Sequence, residues 1–219
     1  MKIGTDAVML GAWMDVGGRT RALDIGTGCG VIALLAAQRM AQYGADFEIT
    51  AIDIDGAAAG EAVDNFASSP WASHLEGLHL SLEEFLSKTP DPAYDLIFSN
   101  PPYYQDTITS GNERRDIARG GMTLPHTEIL DAAMKLLRPE GVLAVVLPLG
   151  EGKSFLLEAL GKGLHLRRQC YVKTKETKPA RRLMLELSPA SAGQVLTETL
   201  VIGSEGWERL TEPYYPNRK

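Results

Sequence analysis

The sequence predicts an α/β domain built on a mostly parallel sheet, and three observations carry that prediction. Strand-like and helix-like segments alternate through most of the chain. A glycine-rich turn, Gly26-Thr27-Gly28-Cys29-Gly30, joins the first strand to the first helix. An apolar run, YDLIFS, stops at two prolines, Pro101 and Pro102, which cannot continue a hydrogen-bonded ladder.

The elements follow in order. Arg21–Ile25 reads as a strand and Val31–Gln42 as the helix after it. Glu48–Asp53 is a second strand, and Gly56–Ala67 is an alanine-rich helix stopped by Ser68-Ser69-Pro70. Leu78–Leu82 is a short third strand, and Tyr94–Ser99 a fourth whose apolar run expects burial on both faces. Tyr104–Thr123 lacks a clear period and reads as a long loop. Leu124–Leu137 is a helix, ended by Arg138-Pro139-Glu140-Gly141, and Val142–Leu147 is a fifth strand. Glu151–Leu160 is a helix. The alternation then changes to two strands, His165–Lys173 and Arg181–Leu187, followed by a β-like run over Leu196–Ile202. No linker divides the chain, so residues 1–219 are expected to form one domain.

Composition excludes several classes. No apolar run approaches the ~20 residues of a membrane helix, and the opening residues lack a signal peptide's apolar stretch. Two cysteines, Cys29 and Cys170, make neither a disulfide framework nor a zinc site, so a reducing cytoplasm is expected. The four histidines show no metal-ligand spacing, and no metal is expected. The net charge is −6, but its distribution is uneven. Between Lys162 and Arg182 eight Lys/Arg stand against one acid, Glu176. That concentration suits a phosphate backbone, and it also suits a solvated hairpin whose lysines protect its edges.

The glycine turn is informative because of its spacing and its neighbours. GxGxG differs from the GxGxxG of dinucleotide sites. Asp24 precedes it, a carboxylate suited to a cationic ligand rather than a phosphate. Asp53 closes the second strand, 23 residues after Gly30, where a carboxylate can accept both hydroxyls of a ribose. Asp55 is its rival on the same stretch. S-adenosylmethionine has a ribose, a sulfonium cation, an amino-acid tail and no phosphate, and it fits this set better than NAD does.

Asn100-Pro101-Pro102-Tyr103 supplies a second chemistry. An exocyclic amine conjugated to a ring is a poor nucleophile, because its lone pair is delocalised. The Asn100 side-chain oxygen and the Pro101 carbonyl can each accept one of its N–H bonds, which turns the lone pair toward a methyl donor. Proline holds that carbonyl in place. Tyr103 offers a face on which a flat base can stack.

The set LDIGTGCG, AIDID and DLIFSNPPY resembles the class I S-adenosylmethionine methyltransferases that act on amino groups. The opening MKIGTDAVMLGAW, the second aromatic at Tyr104, the Arg-rich ERRDIAR and the closing LTEPYY narrow the likeness. Together they resemble the tRNA1(Val) adenine N6-methyltransferase family, which modifies the adenine 3′ of the anticodon. The resemblance covers nearly the whole chain. It implies a Rossmann-like class I fold, with a mostly parallel seven-stranded sheet, an antiparallel C-terminal hairpin and helices on both faces. It implies a cytoplasmic, monomeric enzyme acting on tRNA.

It also implies roles. Thr5 and Asp6 would lie over the methionine end of the cofactor, and Asp24, Gly26, Gly28 and Gly30 would shape its loop. Asp53 and Ile54 would hold the ribose side. Either Ser81 or Glu83 would meet the adenine ring. Asn100, Pro101, Pro102 and Tyr103 would bind the target amine, with Asn100 also beside the cofactor. Arg114, Arg115, Arg119, Lys173, Lys175, Lys178, Arg181 and Arg182 would face RNA.

Members usually carry a further aromatic and basic stretch before the MKIGTD segment, so an N-terminal piece is expected to be absent here. Where many relatives have a His after the basic loop, this chain has Gly120. The alternatives are a protein glutamine N5-methyltransferase, a ribosomal-RNA or DNA amino-methyltransferase, and a non-catalytic RNA-binding module. The first usually carries a separate helical N-terminal domain. The last is opposed by the intact Asn-Pro-Pro-Tyr.

Overall fold

The computed structural model describes residues 4–44, 46–89, 92–102, 124–191 and 193–214. Eight strands join one sheet: β1 (Arg21–Ile25), β2 (Glu48–Asp53), β3 (Leu75–His79), β4 (Tyr94–Ser99), β5 (Leu137–Pro148), β6 (His165–Lys173), β7 (Ala180–Ser188) and β8 (Leu196–Val201). Their order is β3-β2-β1-β4-β5-β7-β6-β8. The strands from β3 to β5 are parallel; β7 runs antiparallel to β5 and β6, and β8 pairs parallel with β6.

The helices are α1 (Thr5–Trp13), α2 (Val31–Met40), α3 (Gly56–Ala67), α4 (Leu82–Lys88), α5 (His126–Leu136), α6 (Leu149–Gly161) and α7 (Glu205–Thr211). They divide between two apolar cores on opposite faces of the sheet. One core holds Trp13, Ile32, Met40 and Phe66 from α1, α2 and α3 with Trp207 from α7. The other holds Phe85, Ile129, Leu136 and Phe155 from α4, α5 and α6. The central strands feed both cores, and Leu96, Ile97 and Phe98 of β4 are fully buried. This is why YDLIFS reads as an unbroken apolar run rather than an alternating one.

Among the described residues the sheet has eight strands, not seven. The hairpin leaves the outer edge of β6 open, and Leu196–Val201 pairs along it from Arg168 to Lys173. The third strand lies three residues earlier than expected, at Leu75–His79. Ser81 and Glu84 form a reciprocal capping box that starts the short helix α4. β5 begins at Leu137 because its register skips between Leu137 and Val142, which leaves Pro139 outside the ladder.

Candidate active site

In a parallel sheet, ligands bind beyond the carboxyl ends of the strands. Here that edge carries the glycine turn after β1, Asp53 at the end of β2 and Asn100 after β4. Backbone bonds shape the turn. The N–H groups of Gly26 and Thr27 both donate to the Ile52 carbonyl, at 2.9 and 3.0 Å. The Asn65 side chain donates to the Cys29 carbonyl at 2.9 Å. All three glycines of the turn have positive φ, which favours glycine. At Gly30 a Cβ would also sit 2.5 Å from the Phe66 ring.

Asp53 belongs to this turn. Its carboxylate accepts the Gly28 N–H at 2.8 Å and the Asp55 N–H at 2.9 Å. The rival, Asp55, accepts from the N–H groups of Ala57 and Ala58 and caps α3. Ile54 beside it is 50% exposed, an apolar surface on the same edge. Asp24 is fully buried. Thr27 donates its hydroxyl to Asp24 Oδ2 at 2.7 Å, while Oδ1 has no hydrogen-bond partner among the described residues. Burial pushes the Asp24 carboxyl up to about 7, the Thr27 bond opposes that, and the neighbouring Asp53 charge adds to it.

Ser99 joins the two halves of the site. Its buried hydroxyl donates to the Ile25 carbonyl at 2.7 Å, across from β4 to the last residue of β1. The next residue, Asn100, is therefore held beside the start of the glycine turn. Pro101 is buried and Pro102 exposed. Tyr103, Arg114, Arg115 and Arg119 lie outside the described residues.

Other expected residues fall as follows. Thr5 is exposed at the start of α1, and Asp6 receives the Arg182 guanidinium at 2.8 Å. Ser81 spends its hydroxyl on Glu84, accepting the Glu84 N–H and donating to its carboxylate. Glu83 is exposed in the first turn of α4. Lys173 donates to the Glu176 carbonyl at 2.6 Å, and Lys175, Lys178 and Arg181 are exposed.

One pair was not foreseen. His126 and Glu151, at the N-termini of α5 and α6, bring Nε2 and Oε2 within 3.8 Å, with both side chains largely buried. Leu124, two residues before His126, would lie 3.9 Å from a Cβ on Gly26, so this pair stands near the glycine turn. Nothing in the spacing of residues 126 and 151 signals their meeting.

Comparison with known proteins decides the family. Residues 3–167 match the model of the methyltransferase small domain. A tRNA1(Val) (adenine(37)-N6)-methyltransferase of Citrobacter koseri is 38% identical over 98% of this chain and 88% of its own. One of Phocaeicola vulgatus is 36% identical over 99% and 92%. The chain belongs to this methyltransferase family. It is an S-adenosylmethionine-dependent N-methyltransferase.

Solved structures agree on the fold. A protein of Agrobacterium tumefaciens described as a predicted O-methyltransferase superposes with a TM-score of 0.65 at 17% identity, over 92% of this chain and 89% of that one. A ribosomal protein L11 methylase of Lactobacillus delbrueckii gives 0.53 at 17%, over 83% and 76%.

The residues present fit the cofactor. Asp24 keeps a buried Oδ1 without a hydrogen-bond partner among the described residues, three glycines leave the turn without side chains at alternate positions, and Asp53 stands at its rim. No metal-binding cluster of His, Cys, Asp and Glu occurs among the described residues. No helix there is long and apolar enough to cross a membrane.

Proposed function

We propose that the enzyme methylates the exocyclic N6 of an adenine in tRNA, the anticodon-loop adenine of a valine tRNA. The relatives that carry this activity in their names align with nearly the whole chain. The observation in the molecule that supports it most is the Ser99–Ile25 bond, which holds Asn100-Pro101 against the glycine turn.

S-adenosylmethionine, when bound, supplies a methyl group on a cationic sulfur. Gly26, Gly28 and Gly30 would shape the turn against it, Asp53 would take the ribose hydroxyls, and Asp24 would face the cationic end. Thr5 and Asp6 would cover the methionine end. The Asn100 side-chain oxygen and the Pro101 carbonyl accept the two N–H bonds of the adenine amine. Those bonds turn the nitrogen lone pair out of the ring plane toward the methyl group. Transfer would form the C–N bond as the C–S bond breaks, and the amine proton would then leave to solvent. The charge changes are met by groups already in place, so the gain is preorganisation. An adenine in an anticodon loop is already unpaired, so splaying it into the site costs little. The reaction takes place in the cytoplasm, and the active unit is a monomer.

Transfer of tritiated methyl to unmodified total tRNA tests the reading, with nucleosides separated by mass. Label in N6-methyladenosine is the expected result. Label confined to a release factor or to ribosomal RNA would keep the chemistry and overturn the substrate. No transfer from an enzyme that binds cofactor would overturn the activity.

A further inference from the structure

The basic segment from Lys162 to Arg182 looks uniform in sequence, but seven of its eight cations divide into two groups, and the eighth, Lys173, donates to the Glu176 carbonyl. Lys162 is paired with Asp131, and Arg167 with Glu140. Arg168 lies 3.0 Å from Glu198, 3.9 Å from Glu186 and 4.2 Å above the Trp13 ring, and it donates to the Trp13 carbonyl. Arg182 is tied to Asp6 on α1. These four cations fasten the hairpin to the body. Lys175, Lys178 and Arg181 are exposed, and none has an ion pair among the described residues.

Topology places these three. Arg182 stands opposite Pro148, the last residue of β5, and Lys173 opposite Ala180. The connection from Thr174 to Pro179 therefore lies at the carboxyl edge of the parallel strands, the same edge as Asn100 and the glycine turn. β4 and β6 are three strand spacings apart in the sheet. At about 4.8 Å each, that is roughly 14 Å. A stacked strand at about 3.4 Å per nucleotide spans it with about four nucleotides.

We infer that Lys175, Lys178 and Arg181 form the phosphate-contact track for the single-stranded RNA flanking the target adenine, while the paired cations of the same segment take no part. This rests on the tRNA reading above. The chain is acidic overall, so three exposed cations beside the site give local attraction without making the whole surface adhesive.

The test compares two variants of the full chain. One carries Lys175→Gln, Lys178→Gln and Arg181→Gln; the other carries Arg167→Gln. Binding of unmodified tRNA is measured against salt, with melting temperature as the folding control. Each single-strand phosphate contact contributes about 0.7 to the slope of log K against log salt. The triple variant should lose about 2 from that slope and bind tRNA at least tenfold more weakly, while Arg167→Gln should leave the slope within about 0.5 of the parent. An unchanged slope in the triple variant, or an equal loss in Arg167→Gln, overturns the track. A parent that does not bind tRNA overturns it too. The assay reads binding without methyl transfer, so a parent that binds tRNA with this slope but leaves it unmethylated would fail only the proposed reaction.

Discussion

Asp24 and Asp95 sit on neighbouring strands of one sheet and are treated in opposite ways. Asp95 lies near the amino end of β4. It accepts hydrogen bonds from the Thr20 N–H and hydroxyl and from the Arg21 N–H, and an Arg138 guanidinium lies 2.7 Å away. Burial would push its carboxyl up, but those donors outweigh it and hold it below the usual carboxylate range. Asp24 lies near the carboxyl end of β1, fully buried, with Thr27 donating to its Oδ2 and no hydrogen-bond partner for its Oδ1 among the described residues. The two ends of the sheet differ in purpose. At the amino edge the Asp95 carboxylate is met by four donors, and the cluster stabilises the fold. At the carboxyl edge the Asp24 Oδ1 is left unmet among the described residues, which costs stability and suits a ligand. Changes at the carboxyl edge should therefore remove function and spare stability, and changes at the amino edge should do the reverse.

The largest functional effect should come from Asn100→Ala. It removes one of the two acceptors that orient the amine, and losses of about 100-fold or more in kcat follow when such a preorganised group is deleted. Cofactor affinity by titration calorimetry and the melting temperature should stay near the parent's. Near-normal turnover would reject the amine-orienting role.

Asp24→Asn should come next and would sharpen the contrast most. A cationic donor beside Asp24 favours its ionised form, so cofactor binding below pH 7 should release a proton, and affinity should rise with pH through about 7. The variant should bind cofactor roughly ten to a hundred times more weakly at pH 8, consistent with a lost charged hydrogen bond. Its affinity should no longer depend on pH in this range. The folded Asp24 retains a proton that the unfolded chain gives up near 3.8, so this group's contribution to stability is present in acid and lost as the pH rises through about 7. The ligand-free variant should thus be more stable than the parent at pH 8. Calorimetry in two buffers of different ionisation enthalpy reads the proton. Finding none released would place Asp24 outside the cofactor's reach.

Much of this edge was legible in sequence because backbone chemistry marks it. Glycines at alternate positions have few explanations other than a tight turn, and Asn-Pro-Pro cannot continue a strand. Asp53 was chosen from its place at the end of β2 with Asp55 as its rival, and the structure shows Asp55 spent on the cap of α3. Pairings between distant residues were not legible. The basic segment showed its charge but not its partners, because Arg182 finds Asp6 at a separation of 176 residues and Arg168 finds Glu198 on the neighbouring strand β8. The short helix α4 did carry a signal, Ser81-x-x-Glu84, which the strand-like alternation before it obscured. The Asp95 cluster was invisible for the same reason as the ion pairs: Thr20 and Arg21 lie more than seventy residues away, and Arg138 lies 43 away.

The smallest effect on turnover should be that of Asp95→Ala. Its side chain is 16% exposed, and the substitution leaves the Thr20 and Arg21 N–H groups and the Arg138 guanidinium without their shared acceptor. Losing hydrogen bonds to a charged group costs about 2–3 kcal/mol, and for a chain of this size that lowers the melting temperature by roughly 5–10 °C. The Asp95 carboxyl is held below its unfolded value, so its contribution to stability is present above about pH 4 and is lost as the pH falls through the folded value. The stability difference between parent and variant should accordingly shrink below pH 4, where denaturant titrations would show the two curves converging. Cofactor affinity and turnover at 25 °C should be unchanged, because the cluster touches only the amino ends of β1, β4 and β5. A variant that kept its stability but lost activity would erase the division between the two edges.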